Sequence, residues 1–170
     1  MSNRDYAKYW YGSRLREHEN LIRAVGFGGF LVVVGVIFAI TPDLFGKIST
    51  FFNDFTTQRL PFAGGLGNLN LPAPQNPAAH LDVYTAAMRF EIGIAILEFT
   101  IVLMRLSLQK VYRVAETVGN FVFWGGAAYL TSTFLLAGTL QGWFEFWAAL
   151  VVLVGISMIV RGIIHFVRRG

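Results

Sequence analysis

Glu91, Glu98 and Arg105 recur at seven-residue intervals in an otherwise apolar stretch, so on a helix all three fall along one stripe. Glu98 sits near the middle of that stretch. An unpaired carboxylate in hydrocarbon costs several kcal/mol, so Glu98 must either take up a proton or find a polar partner. One reading makes it a proton carrier, an ion or substrate ligand, or a carboxylate beside a quinone. The other has it bonded to a neighbouring helix or subunit, and Asn120, Tyr129, Thr131, Ser132 and Thr133 are the polar groups at hand. Arg89 and Glu91 lie within about two helical turns of one end, where long side chains reach the water. Arg161 reads in the same way, as a boundary charge near the opposite surface.

Other chemistry is sparse. With no cysteine, disulfides, thiol catalysis and cysteine-held metals are excluded. His18 and His165 fall on one side of the expected membrane and His80 on the other, so they cannot share a metal. His80 and Asp82, with Glu91 nearby, are the best metal candidates and a poor set, because residues two apart point to different faces of a helix. No histidine lies mid-span for haem, and no nucleophile–base set, HExxH or phosphate loop is present. No catalytic residue, metal or cofactor is therefore expected, although the surface leaves room for bound lipid.

The elements that would position these groups are membrane helices. Of the 170 residues 55% are hydrophobic and 14% charged, where a soluble domain carries nearer 25% charged, and the apolar residues come in long runs. Four runs, 24–41, 84–106, 117–137 and 143–164, approach the ~20 residues that cross a ~30 Å core. The first reads as an uncleaved anchor, since it follows 23 residues of mixed charge and ends at Thr41-Pro42-Asp43 without a cleavage site of small residues. Orientation follows from the basic residues. Arg4, Lys8, Arg14, Arg16, Arg23, Arg105, Lys110, Arg113, Arg161, Arg168 and Arg169 fall on one side, and Lys47 and Arg59 on the other. Eleven against two places both termini in the cytoplasm, with 42–83 as a long external loop. The same bias explains the net charge of +4 without nucleic acid.

The expected organisation is thus an interfacial segment, 1–23, rich in Tyr and Trp, followed by a four-helix transmembrane domain, 24–170. Ser13 is the expected N-cap of the first helix, and Thr41-Pro42 that of a short external helix carrying Phe45, Ile48, Phe52 and Phe55 along an apolar stripe. Residues 60–77, rich in Gly, Pro and Asn, read as irregular, with Asn76-Pro77 capping the second span and a tight turn at 138–142 joining the last two. Gly28, Gly35, Gly125 and Gly126 belong to small-residue faces that let helices approach closely.

Over one segment, Glu91-Ile-Gly-Ile-Ala-Ile-Leu-Glu98, the chain resembles the acidic second helix of the DoxX-like family of small four-helix membrane proteins. The resemblance stops there, the external loop being longer than that family implies, and it identifies no family. The functional expectation is an all-α, multi-pass protein of the cytoplasmic membrane: a four-helix bundle serving as a non-catalytic accessory subunit of a respiratory, photosynthetic or oxygenase type of complex. Its partners would be other integral membrane subunits and the lipid bilayer, met through the glycine faces and the external loop. The alternative is a small oligomeric transporter or channel, or a quinone-linked oxidoreductase subunit using Glu91 and Glu98 for protons.

Overall fold

A computed structural model describes residues 3–59, 70–108 and 114–167, with side chains from residue 19 onward except those of His165 and Val167. The chain is mostly helical. Helix α1 runs Asn3–Ile40, α2 Leu44–Asn53, α3 Leu81–Ser107, α4 Val114–Leu130 and α5 Leu140–Val167. A π-helical turn, Thr131–Leu135, continues α4, and a 3₁₀ turn, Pro77–His80, leads into α3. Between α2 and that turn, β1 (Phe55–Arg59) pairs antiparallel with β2 (Asn70–Pro74). The architecture is therefore not purely helical, and the expectation of an irregular 60–77 fails over 70–74, while 60–69 lie outside the described residues. The prolines of β2 hid it: Pro72 and Pro74 lack an N–H, which a two-stranded ribbon tolerates because each strand keeps an open edge.

Two helices, Glu19–Ile40 and Leu140–Ile164, are long and apolar enough to cross a membrane, each with a mean hydropathy of 2.3. Their most apolar windows are only 11% and 6% buried, the reverse of a core helix in a soluble protein. Helix α3 has 27 residues, and α4 with its π turn is of comparable reach, but both carry polar groups on their packed faces.

The expected caps shift: α3 begins at Leu81 with His80 at its N-cap position, and Asn76 precedes only the 3₁₀ turn. Helix α1 continues unbroken past Ser13, which is not an N-cap. The cap of α2 is Asp43, in left-handed backbone at φ 51°, rather than Thr41. The turn before α5 is as the sequence implies: Gly138 has a positive φ of 64°, and the Thr139 hydroxyl accepts the Gly142 N–H at 3.0 Å, an N-cap on the third residue of the helix.

The long helices stand in sequence, α1 against α3, α3 against α4 and α4 against α5, and α2 lies across α3. Glycines allow the close crossings, though not all those expected. Gly29 sits against Leu97, Gly93 against Val33, Gly119 against the Arg161 side chain and Gly126 against Leu153. Among the described residues Gly126 packs against a neighbouring helix, whereas Gly28, Gly35 and Gly125 face open space.

Among the described residues the buried side chains form two clusters. One joins Ala73, Tyr84, Leu135, Trp143, Phe144 and Phe146, with Phe51 and Phe55 packed against it. The other joins Ile37, Leu44 and Ala86, with Val33, Ile48 and Phe90 around them. The inward face of α2 is thus Leu44, Ile48 and Phe51. Phe45 and Phe52 point outward, 74% and 66% exposed, and Phe55 belongs to β1 rather than to the helix. The expected Phe45, Ile48, Phe52 and Phe55 stripe is therefore split between two surfaces.

Candidate functional site

The stripe on α3 meets polar groups from both following helices. Glu98 Oε1 accepts a hydrogen bond from Asn120 Nδ2 of α4 at 3.0 Å, and Asn120 Oδ1 accepts one from Arg161 Nη2 of α5 at 2.6 Å. The carboxamide is an adapter. A carboxylate can only accept and a guanidinium can only donate, so the two ends of Asn120 are assigned by its partners. Gly119, the residue before it, leaves the space that the Arg161 stem occupies. One turn below, Arg105 donates to the hydroxyl of Thr117, itself only 2% exposed. Arg105 and Arg161 both act on Glu98 through space as favourable charges, and Glu116 as an unfavourable one. The outcome is a clasp across α3, α4 and α5 in which an acid and a base are joined through a neutral side chain.

Glu91, one stripe position outward, has the Thr131 hydroxyl as its neighbour across the α3–α4 seam. Glu91 Oε2 and Thr131 Oγ1 are nonetheless shielded from solvent without a bond of good geometry, as is the Tyr84 hydroxyl further out. Thr131 opens the π turn, a distortion that recurs at functional places in helices. Arg89 is exposed and acts on Asp82 through space, taking no part in the clasp.

At the hairpin end of α3 the groups sort differently from the metal set considered above. His80 Nε2 lies 2.8 Å from Asp54 Oδ2, and Asp82 takes Lys47 Nζ at 2.6 Å, so His80 and Asp82 serve different partners. Among the described residues no group of three or more His, Cys, Asp or Glu could hold a metal ion. Asp54 also accepts the Asn76 N–H at 2.9 Å. That backbone bond first, and His80 second, hold its carboxyl below the usual range. Lys47 does the same for Asp82. His80 is 4% exposed and edge-on to Phe51, whose ring also meets Phe55, Tyr84 and Trp143 at 5.0–6.0 Å. Trp143 Nε1 reaches the Pro72 carbonyl at 3.4 Å, tying the hairpin to α5.

The chain matches no family model, no curated protein and no solved structure. Its function must be argued from this geometry.

Of the expected site residues, the structure gathers Glu98 and Arg105 with Asn120, Thr117 and Arg161, and leaves Glu91 with Thr131. Sequence reasoning placed Arg161 at the boundary and missed its reach to Asn120. The available signal was its place after a serine and a glycine on an otherwise apolar helix, Gly155-Ile-Ser157-Met-Ile-Val-Arg161.

Proposed function

We propose that this chain crosses the cytoplasmic membrane four times, with both termini inside and residues 42–83 outside, and serves as a non-catalytic subunit of a larger membrane assembly. The observation that carries the reading is the Glu98–Asn120–Arg161 clasp. The charges that would mark a transport path or a reaction centre are spent on one another, holding three helices in register. Large apolar side chains meanwhile cover the free flanks: Phe27 and Val32 on α1, Val151 and Phe166 on α5. Such faces suit lipid or the helices of a partner. The eleven-to-two distribution of Lys and Arg gives the orientation, and it closes with an even number of crossings.

The test is gentle detergent extraction from the native membrane, followed by sizing of wild type and Glu98→Gln. Co-migration with larger partners in both supports the reading, because Gln can still bond Asn120. A homo-oligomer free of partners would overturn it.

A second reading, a proton-handling transporter or oxidoreductase subunit, draws on Glu91. Its carboxyl faces the Thr131 hydroxyl at a π turn, shielded from solvent and outside the Glu98–Asn120–Arg161 clasp, which leaves it as the titratable group on this stripe that could exchange a proton. Under that reading Glu91→Gln assembles normally and abolishes turnover.

A further inference from the structure

Where α2 crosses the outer end of α3, two cavities of different character adjoin, and Val83 lines both. The one between α1, α2 and α3 is about 290 Å³ and wholly apolar, walled by Val34, Ile37, Phe38, Leu44, Ala87 and Phe90. The other, about 240 Å³, is polar and lies toward the start of α3, walled by Asp43, Gly46, Lys47, Thr50, His80 and Asp82. We propose that together they form a binding site for one phospholipid with a phosphoethanolamine headgroup, an acyl chain lying in the apolar groove. The inference rests on the membrane reading above.

Charge complementarity selects the occupant. The polar cavity presents two carboxylates, Asp43 and Asp82, and one ammonium, Lys47. Lys47 gives one of its three donors to Asp82 and keeps two for a phosphate. Asp82, with its side chain 69% exposed, keeps an oxygen open to an incoming ammonium, and Asp43 stands exposed beside it. A phosphoglycerol head would bring its anion to two carboxylates with no cation of its own. A phosphocholine head has the right charges, but its quaternary ammonium cannot donate hydrogen bonds to them. A neutral quinone head matches none of the charges. The outward Phe45 and Phe52 place this edge of α2 where acyl chains would lie.

The experiment is native mass spectrometry of the full chain in detergent, with phosphatidylethanolamine, phosphatidylcholine and phosphatidylglycerol added separately. The ethanolamine lipid is expected to give adducts about fivefold more abundant than the choline lipid, the scale of one exposed ion pair. Asp43→Asn is the variant least able to disturb folding, since its side chain makes no cap bond, and it should reduce that preference. Lys47→Met should lower the adducts of all three lipids, since each carries the phosphate that Lys47 meets, and Ala87→Phe, which fills the groove, should remove tight adducts of every headgroup. Equal adducts for all three lipids, or a preference untouched by Asp43→Asn, would overturn the proposal while leaving the membrane reading in place. A chain that stays soluble without detergent would instead remove the membrane reading and the site with it.

Discussion

At the scale of single residues, the clasp depends on Asn120 more than on either charge. Replacing Glu98 by Gln retains an acceptor for the amide, whereas Asn120→Leu strips the bonds from Glu98 and Arg161 together. Asn120→Leu is expected to lower stability in detergent by about 1–3 kcal/mol, the cost of leaving such groups unpaired, with Glu98→Gln nearer wild type. Thermal melts of the two variants decide it, and equal melts would show that Asn120 bridges nothing of consequence. Asp54 gives a second prediction, with a sign. Its carboxyl is held below the ordinary 3.8, so the stability it contributes is present above that pH and is lost as pH falls below it and through the lowered folded value. Wild type should therefore lose its outer hairpin in acid, read as exposure of Trp143 fluorescence. Asp54→Asn, which cannot titrate, should flatten that dependence. An unchanged acid profile in the variant would assign the transition to another group.

At the scale of elements, the last two helices are held by a turn whose geometry admits few substitutions. A Cβ on Gly142 would run into the carbonyl of Phe134, which is backbone and cannot swing aside. Gly142→Ala is expected to cost about 1–3 kcal/mol, as overpacking does elsewhere. Thr139→Ala, which only removes the cap bond, should cost about 1 kcal/mol. Gly28→Ala, facing open space, should cost far less than Gly142→Ala, and melting the three variants side by side checks the order. Much at this scale was legible. The long helices, two of them apolar enough to cross a membrane, the glycine turn at 138 and the stripe of Glu91, Glu98 and Arg105 on one helix all follow from period and composition. The strand Asn70–Pro74 was not, because its prolines suppress the alternation that marks a strand, and only pairing with Phe55–Arg59 gives it form. The inward face of α2 was not legible either. Phe51 and Phe52 are adjacent and chemically alike, and only the aromatic group around His80 and Trp143 decides which of them turns in.

At the scale of the whole molecule, the polar clasp and the charge bias bear on the same question from different directions. Helices α3 and α4 do not meet a simple test of apolarity, because they carry Glu91, Glu98, Arg105 and Asn120. Glu98 bonds Asn120, Arg105 bonds Thr117 and Glu91 faces the Thr131 hydroxyl, so these groups are turned into the α3–α4 seam, as charge on a spanning helix would be. The outward surface near the clasp is apolar: Ile92, Ile96 and Phe99 on α3 and Phe121 on α4 are all exposed. A layer of apolar side chains over a bonded polar seam suits hydrocarbon surroundings better than water. If α3 and α4 do span, the eleven cations gather on one surface, and the outer hairpin with the lipid cavities lies on the other. Gln75 tests this directly, since it is exposed and its backbone is held by Asp54. A cysteine placed there, in a chain with none of its own, should react with a membrane-impermeant maleimide on intact cells. A cysteine replacing Ser2 should react only after the membrane is opened. The reverse pattern would invert the molecule and move the proposed lipid site to the inner leaflet. Labelling of both positions on intact cells would put an even number of crossings between them, so α1 would not cross alone and the four-crossing topology would fall.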